Sequence, residues 1–508
     1  MNNIGELLRR RAWINGENEA IVDLTSGERL TYAALNARVN ATAGMLRGLS
    51  VGKGDVVALL CMNGVEFVET YYACAKIGAV VLPLNWRLTP PELHYILSDS
   101  GSGTLVYGVE FTELVTPLRA DLPPKLTQFI QIGGETADGA TDYTSARNVA
   151  DGAEPDILAD NDDHLTYVYT SGTTGRPKGV VHSHRTAMAG ILNVAATFRM
   201  EPEERHLIAL PLFHVGASTP LLSHIYCGNT AILMREFNPA AMWDTFAAER
   251  VTSTLAVPAM LNFMLKVQDF EARDRSSLIG ILSGASPVPV ELINAYLDLG
   301  IEIHQVYGMT ETFGPGCYLP GAEARNRLGA AGKGYLMTDI RLVDPDGNDV
   351  PPGTPGEILM RGAHNMVGYL NNTAATGETL VDGWLHSGDI GISDEDGYVT
   401  VHDRLKDMII SGGENVYPAE VENVLLAHEY VADVAVIGQP SADWGESPFA
   451  VVVPASDAAS EAAIMSHCQG KLARFKQPKG MAFVEEIPRN PTGKPLKRLL
   501  RDKFPGST

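Results

Sequence analysis

Short apolar runs alternate with segments of helical period through roughly the first four hundred residues. Val56-Val-Ala-Leu-Leu-Cys61 predicts a buried strand. Glu66 to Ile77 follows with apolar residues at helical spacing and predicts an amphipathic helix, and Val80-Val-Leu-Pro83 predicts the next strand. The same alternation recurs around Ala209, at Thr254-Leu-Ala-Val257 and at Ile279-Gly-Ile-Leu282. Ile4, Leu7 and Leu8 fall on one face of a first helix. Such a pattern predicts the α/β class, with layered, largely parallel sheets and flanking helices. After Gly362 the texture changes to short strands and turns, with Asp382-Gly383, Asp396-Gly397 and Ser411-Gly-Gly413 as punctuation. Tyr398 to His402 and Met408 to Ile410 predict strands on either side of Asp403-Arg-Leu-Lys-Asp407. A helix over Pro418 to Ala427 and a strand over Val434 to Ile437 then predict a small α+β unit.

Length and composition narrow the picture. At 508 residues and 45% apolar content, the chain holds more than one domain and enough material for large cores. No segment has the length and apolarity of a membrane span. Arg9, Arg10 and Arg11 lack a following apolar region, so a signal peptide is not expected. Cysteines at 61, 74, 227, 317 and 468 form no C-x-x-C pair and predict buried thiols in a reducing cytoplasm. His182-Ser-His184 has no acidic or cysteine partner at ligand spacing and predicts structural histidines.

The net charge of −22 is uneven. Lys471 to Thr508 carries ten Lys/Arg against three Asp/Glu, and the preceding 470 residues carry 29 against 58. Such a tail is either a solvated basic helix or a mobile segment that brings positive charge to an anionic substrate. The acidic body excludes nucleic acid as a partner and gives no pull towards an anionic membrane.

The densest chemistry lies in Tyr169-Thr-Ser-Gly-Thr-Thr-Gly-Arg-Pro-Lys-Gly179, after the strand-like run Leu165-Thr-Tyr-Val-Tyr169. Glycines let backbone N–H groups close on an anion, while hydroxyls and a lysine add donors and charge. This is a phosphate cradle. It is not a Walker A loop, which needs Gly-Lys-Ser/Thr entering a helix, because here Pro177 precedes Lys178 and Gly179 follows it.

That loop resembles the signature of the adenylate-forming superfamily, which includes acyl-CoA synthetases, luciferases and peptide-synthetase adenylation domains. The likeness runs from about Leu30-Thr-Tyr32 to Pro-Thr-Gly-Lys494, and is strongest to bacterial fatty-acyl-CoA and aryl-CoA ligases. It implies a large AMP- and acyl-binding domain at 1–404 and a small mobile cap at 405–508, hinged at Lys406. By the resemblance, Thr170, Ser171, Gly172, Thr173, Thr174, Gly175 and Lys178 surround the ATP phosphates. Tyr307-Gly308-Met309-Thr310-Glu311 matches the second signature, with Thr310 on the α-phosphate and Glu311 on Mg²⁺, joined there by Thr174. Gly284, Ala285, Ser286, Gln305 and Tyr307 resemble the walls around adenine, the Tyr307 ring stacking on the base. Asp389 and Arg404 match the ribose contact. Lys494 matches the lysine that completes adenylation, and Ser411, Gly412 and Gly413 the strand that lines the pantetheine tunnel.

The acyl pocket rests on Pro211 to Gly216, with His214 at the family's gate position and Phe213, Val215, Gly216, Ala217, Met309 and Gly314 as its lining. Gly216 stands where 4-coumarate ligases carry a tyrosine. Together with small Ala217, Ser218 and Gly314, it implies a roomy apolar pocket. The expected function is an AMP-forming acid–CoA ligase using ATP, Mg²⁺ and coenzyme A on a medium- or long-chain fatty acid or another bulky acid. An aryl acid, or a separate carrier protein in place of coenzyme A, remains the alternative. The expected partner is a small carboxylic acid; a homodimer is left open.

Overall fold

The computed structural model describes all residues except 1–2, 122, 157–158, 171–176, 286–287, 328, 405–406, 412–413, 442–443, 470, 473, 490–494 and 507–508. Two large sheets dominate. The nine-stranded sheet runs, in spatial order, through Lys333–Gly334, Cys317–Leu319, Ile303–Tyr307, Gly280–Gly284, Ser253–Leu255, Arg205–Ile208, Thr230–Leu233, Glu19–Asp23 and Arg29–Thr31. Its six interior strands pair in parallel and its edges are antiparallel. The eight-stranded sheet is parallel from His164–Thr170 to Thr141–Asp142, with the antiparallel strands Lys178–Ser183 and Gly368–Tyr369 added at one edge.

Strand periodicity explains the layering. In Val56–Leu60, Val57 and Leu59 enter the core between the large sheets, while Ala58 and Leu60 enter the core on the far side. In Arg205–Ile208, Leu207 belongs to the outer core and Ile208 to the central one. The central core also takes the buried faces of the helices Ile4–Asn15, Val65–Ile77, His184–Phe198 and Val215–Cys227. Ile4, Leu7 and Leu8 are buried as the helical spacing predicts.

The helix Val65–Ile77 is not amphipathic. Every residue except Glu66 is buried, Glu69 and Lys76 included. Its charges are matched internally instead: Glu69 pairs with Arg38 and Arg147, and Lys76 with Glu154, Asn36 and Asn40. Glu154 comes from the segment that precedes the strand His164–Thr170, so a residue distant in sequence neutralises the buried Lys76.

A third, antiparallel sheet begins at Asp339–Val343, earlier than the change in texture at Gly362. It continues through Gly356–Arg361, Trp384–Ser393 and Val399–Arg404. A fourth sheet, from Ile409–Ser411 to Gly480–Phe483, packs on the helices Pro418–Leu426 and Glu461–His467 around its own core. The basic tail does not stand apart as a free cation source: Arg489 pairs with Asp433, Lys497 with Glu422 and Arg501 with Asp407. No helix among the described residues is long and apolar enough to cross a membrane.

Candidate active site

One cleft of about 2730 Å³ joins the carboxyl ends of the nine-stranded sheet, the edge of the eight-stranded sheet and the face of the fourth sheet's unit. The crevice outside the carboxyl ends of parallel strands is where α/β folds expose backbone groups and loops to ligands.

The antiparallel pair His164–Thr170 and Lys178–Ser183 sets Thr170 opposite Lys178 in register, at the base of the glycine-rich loop. Ser171, Gly172, Thr173, Thr174 and Gly175 lie outside the described residues, as do Ser286, Lys406, Gly412, Gly413 and Lys494. The ammonium of Lys178 sits 4.9 Å from the centre of the Tyr369 ring. Tyr369 in turn donates from its hydroxyl to Glu311 Oε1 at 2.8 Å. The Glu311 carbonyl accepts from the Met366 N–H at 2.7 Å. Glu311 is thus buried and oriented from the neighbouring edge strand, with a carboxylate that suits a hard cation.

Backbone geometry explains the glycines of the second signature. A Cβ on Gly308 would stand 1.6 Å from the carbonyl oxygen of Gly314, so only glycine permits this close crossing. Gly314 itself has φ +112°, outside the range of ordinary L residues. Thr310 begins the short helical turn Thr310–Thr312, and its carbonyl accepts from His182 Nε2 at 2.8 Å. A carbonyl can only accept, so the His182 proton resides on Nε2 and its Nδ1 faces the Thr186 hydroxyl at 3.2 Å. Burial pushes His182 down to about 4 and keeps it neutral.

The adenine-wall candidates Gly284, Ala285, Gln305 and Tyr307 all line the cleft, as does Gly308 of the second signature. A Cβ on Gly284 would stand 2.2 Å from the Val306 carbonyl oxygen, which keeps the neighbouring strands close. Tyr307 donates from its hydroxyl to Asp389 Oδ2 at 2.8 Å. Burial is the main cause that raises the Tyr307 phenol well above its ordinary range, with the Asp389 charge adding to it. Asp389 is also the direct cross-strand neighbour of Arg404, of which only the backbone is described. Ser411 ends a strand and is fully buried.

The acyl candidates gather at the start of the helix Val215–Cys227. His214 caps this helix and packs its ring 4.4 Å from that of Phe213, while Val215, Gly216, Met309 and Gly314 line the cleft beside it. Ala217 is absent from the lining and packs in the central core. Thr219 fixes this helix to the second signature by donating to the Phe313 carbonyl at 2.8 Å.

Two residues at the site escaped the sequence reading. Tyr369 belongs to a two-residue strand that no periodicity marks. The sequence predicts a structural His182, and its ring also bonds the backbone of Thr310. Its position at the far end of the strand leaving the phosphate loop was the available signal.

Comparison with known proteins agrees with the geometry. The AMP-binding enzyme family matches residues 8–370, and the AMP-binding enzyme C-terminal domain matches residues 420–494. A long-chain-fatty-acid–CoA ligase of Mycobacterium tuberculosis is 41% identical over 506 residues, 99% of each chain. A feruloyl-CoA synthase of an Amycolatopsis species is 40% identical over 480 residues, 94% of each. The solved structure of the o-succinylbenzoate CoA synthetase of Bacillus subtilis, in complex with its acyl-adenylate intermediate, superposes with a TM-score of 0.90 at 32% identity, covering 100% of this chain and 99% of that one. Matched by this family over most of its length and by CoA ligases nearly end to end, the chain belongs to the adenylate-forming, AMP-binding enzymes and is an acid–CoA ligase.

Proposed function

We propose that this ligase activates a medium- or long-chain fatty acid, or another bulky acid, in two half-reactions at one cleft. ATP, Mg²⁺ and coenzyme A are the ligands of its class. The observation that carries the acid is Gly216. A Cβ built there meets only Leu210 Cδ1, at 3.9 Å, so the wall of the cleft is open at this point.

In the first half-reaction a carboxylate oxygen attacks the α-phosphorus of ATP and pyrophosphate leaves. Lys178 and the loop from Thr170 to Gly175 hold the phosphates, and Thr310 holds the α-phosphate. The donor set fits Mg²⁺: one buried carboxylate, Glu311, oriented by Tyr369, with the Thr174 hydroxyl as the second protein ligand that the resemblance implies and phosphates for the remaining positions. When bound, the ion neutralises phosphate charge. Gly284, Ala285, Ser286, Gln305 and Tyr307 take the adenine, and Asp389 with Arg404 takes the ribose hydroxyls. Lys494 neutralises charge as it develops at the phosphorus. In the second half-reaction the unit 405–508 turns about Lys406, and Ser411 to Gly413 guides the thiol of coenzyme A to the acyl carbon, where the C–S bond forms as the thiol loses its proton and the acyl–phosphate bond breaks to release AMP. His214 gates the acyl site, which Phe213, Val215, Gly216, Met309 and Gly314 line. Its cysteines are free thiols, four of them buried, which suits the cytoplasm.

The similarity to a feruloyl-CoA synthase favours aryl acids as the second reading. A panel of alkyl acids of graded length and aryl acids, scored by CoA-dependent pyrophosphate release, separates the two. Exclusive use of aryl acids would overturn the first reading. Release of inorganic phosphate in place of pyrophosphate would overturn both readings.

A further inference from the structure

The cleft does not end at the gate. It continues along the inner face of the nine-stranded sheet, between that sheet and the helix Val215–Cys227. Gly284 and Gly280 both line it, and they are four residues apart on one strand, a descent of about 13 Å. On the facing helix Gly216, Pro220 and His224 line it at four-residue intervals, a descent of about 12 Å. The lining residues of the two walls therefore span about the same length.

The floor is polar. His206 and His224 stack there with ring centres 4.4 Å apart and planes inclined by 20°. His206 comes from the strand Arg205–Ile208 and His224 from the last turn of the helix. They are 2% and 4% exposed. His206 Nδ1 pairs with Ser253 Oγ at 2.8 Å, but its Nε2 has no hydrogen-bond partner among the described residues, and neither does His224 Nδ1. Both are fully enclosed atoms in rings that line the cavity. An unmade bond to a buried polar atom costs about as much as the desolvation of that atom, so such pairs call for an occupant. The third histidine of this floor, His304, is already engaged: its Nδ1 accepts from Gly321 N–H at 3.0 Å and lies 2.9 Å from the Tyr318 hydroxyl.

We propose that the acid activated here carries a hydroxyl at its far end, seated against His206 and His224. This rests on the acid–CoA ligase reading and adds the chemistry of the distal end. A hydroxyl suits the site whichever tautomer His206 adopts, because it both donates and accepts. A second carboxylate does not suit it. Burial depresses His206 to about 3 and His224 well below its ordinary value, so both rings stay neutral and offer no compensating charge. A depth of about 12 Å corresponds to roughly ten chain carbons at about 1.25 Å each, from C–C bonds of about 1.5 Å at tetrahedral angles.

The test is CoA-dependent pyrophosphate release with three series bracketing about ten carbons: plain alkyl acids, the same acids with a terminal hydroxyl, and the matching dicarboxylic acids. Wild-type enzyme should show kcat/KM about tenfold higher for the hydroxy acid than for the alkyl acid at the matched length. His206→Leu and His224→Leu should each lower that ratio by about tenfold. Every ratio is taken within one protein, so expression level does not enter. Should a variant not fold, the wild-type series alone decides. Equal use of hydroxy and alkyl acids at every length, preference for the dicarboxylic acids, or an unmoved ratio in folded variants would overturn the proposal while leaving the ligase reading intact. Absence of CoA-dependent release with every acid would overturn the ligase reading itself.

Discussion

Gly216→Tyr tests the acyl pocket most directly. Residue 216 is the second residue of the helix Val215–Cys227, lines the cleft, and its φ is not in the left-handed region. A side chain there meets no backbone strain, and its Cβ touches only Leu210 Cδ1 at 3.9 Å. The tyrosine ring must therefore enter the cavity, above Pro220 and His224 on the same helical stripe. Interiors are packed closely enough that the ring displaces its own volume of substrate. Each excluded CH₂ forfeits about 0.8 kcal/mol of burial. Three or four methylenes then reduce kcat/KM for a long acid by about 50- to 200-fold, at 1.4 kcal/mol per decade. Short acids that end above the ring should keep their rates, and the KM for ATP should not move. Gly216→Ala serves as the control: it fills almost nothing and should gain up to about 1 kcal/mol of helix stability. The assay is CoA-dependent pyrophosphate release against chain length in all three proteins. An identical length profile in wild type and Gly216→Tyr would show that residue 216 does not line the acyl site. A uniform fall at every length would place the residue at the gate instead of along the pocket.

Lys494→Ala should lower adenylation by about 10²- to 10³-fold while leaving thioester formation from supplied acyl-adenylate nearly intact; equal loss in both half-reactions would refute its departure between them. Glu311→Gln replaces a hard anionic ligand with a neutral amide and should raise the Mg²⁺ concentration needed for half-maximal rate, whereas an unchanged dependence would move the ligand elsewhere. Tyr369→Phe removes the hydroxyl that holds Glu311 at 2.8 Å and should shift the Mg²⁺ dependence in the same direction, by about tenfold or more for a bond to a charged group; no shift would leave Tyr369 a packing residue. Acid should destabilise the fold: His182, His184, His206 and His364 are all buried with depressed values, so their contribution is complete above the unfolded value near 6.5 and falls as pH drops towards folded values of about 4 for His182, His184 and His364 and about 3 for His206. Between pH 7 and pH 5 each costs about 2 kcal/mol, and a denaturant midpoint unchanged over that range would refute their neutrality.

What the sequence disclosed is what sits within one short loop. Tyr169 to Gly179 and Tyr307 to Glu311 declare their chemistry because backbone and side-chain donors lie next to one another in the chain. The alternation of apolar runs likewise locates the parallel strands, since both faces of each are buried and the run is continuous. The helix Val65–Ile77 misled by the same logic: Glu69 and Lys76 look like a solvated face until Arg38, Arg147 and Glu154 arrive from distant segments to match them. The basic tail misled in the opposite sense, its net charge concealing acidic partners at Asp407, Glu422 and Asp433.

The floor of the cleft was hidden for a further reason. His206 and His224 are separated by 18 residues and belong to a strand and a helix of different period, so no spacing rule joins them. Each alone looks like an ordinary interior histidine. Only the parallel register, which sets His206 beside Ser253, and the pitch of the facing helix, which returns His224 to the cleft two turns below Gly216, bring two unused nitrogens to one place. The nucleotide half of this enzyme is written in loops and was legible. The acid it selects is written in the packing of a helix on a sheet, where the deciding quantity is depth, and depth enters only once the helix and the strand face each other.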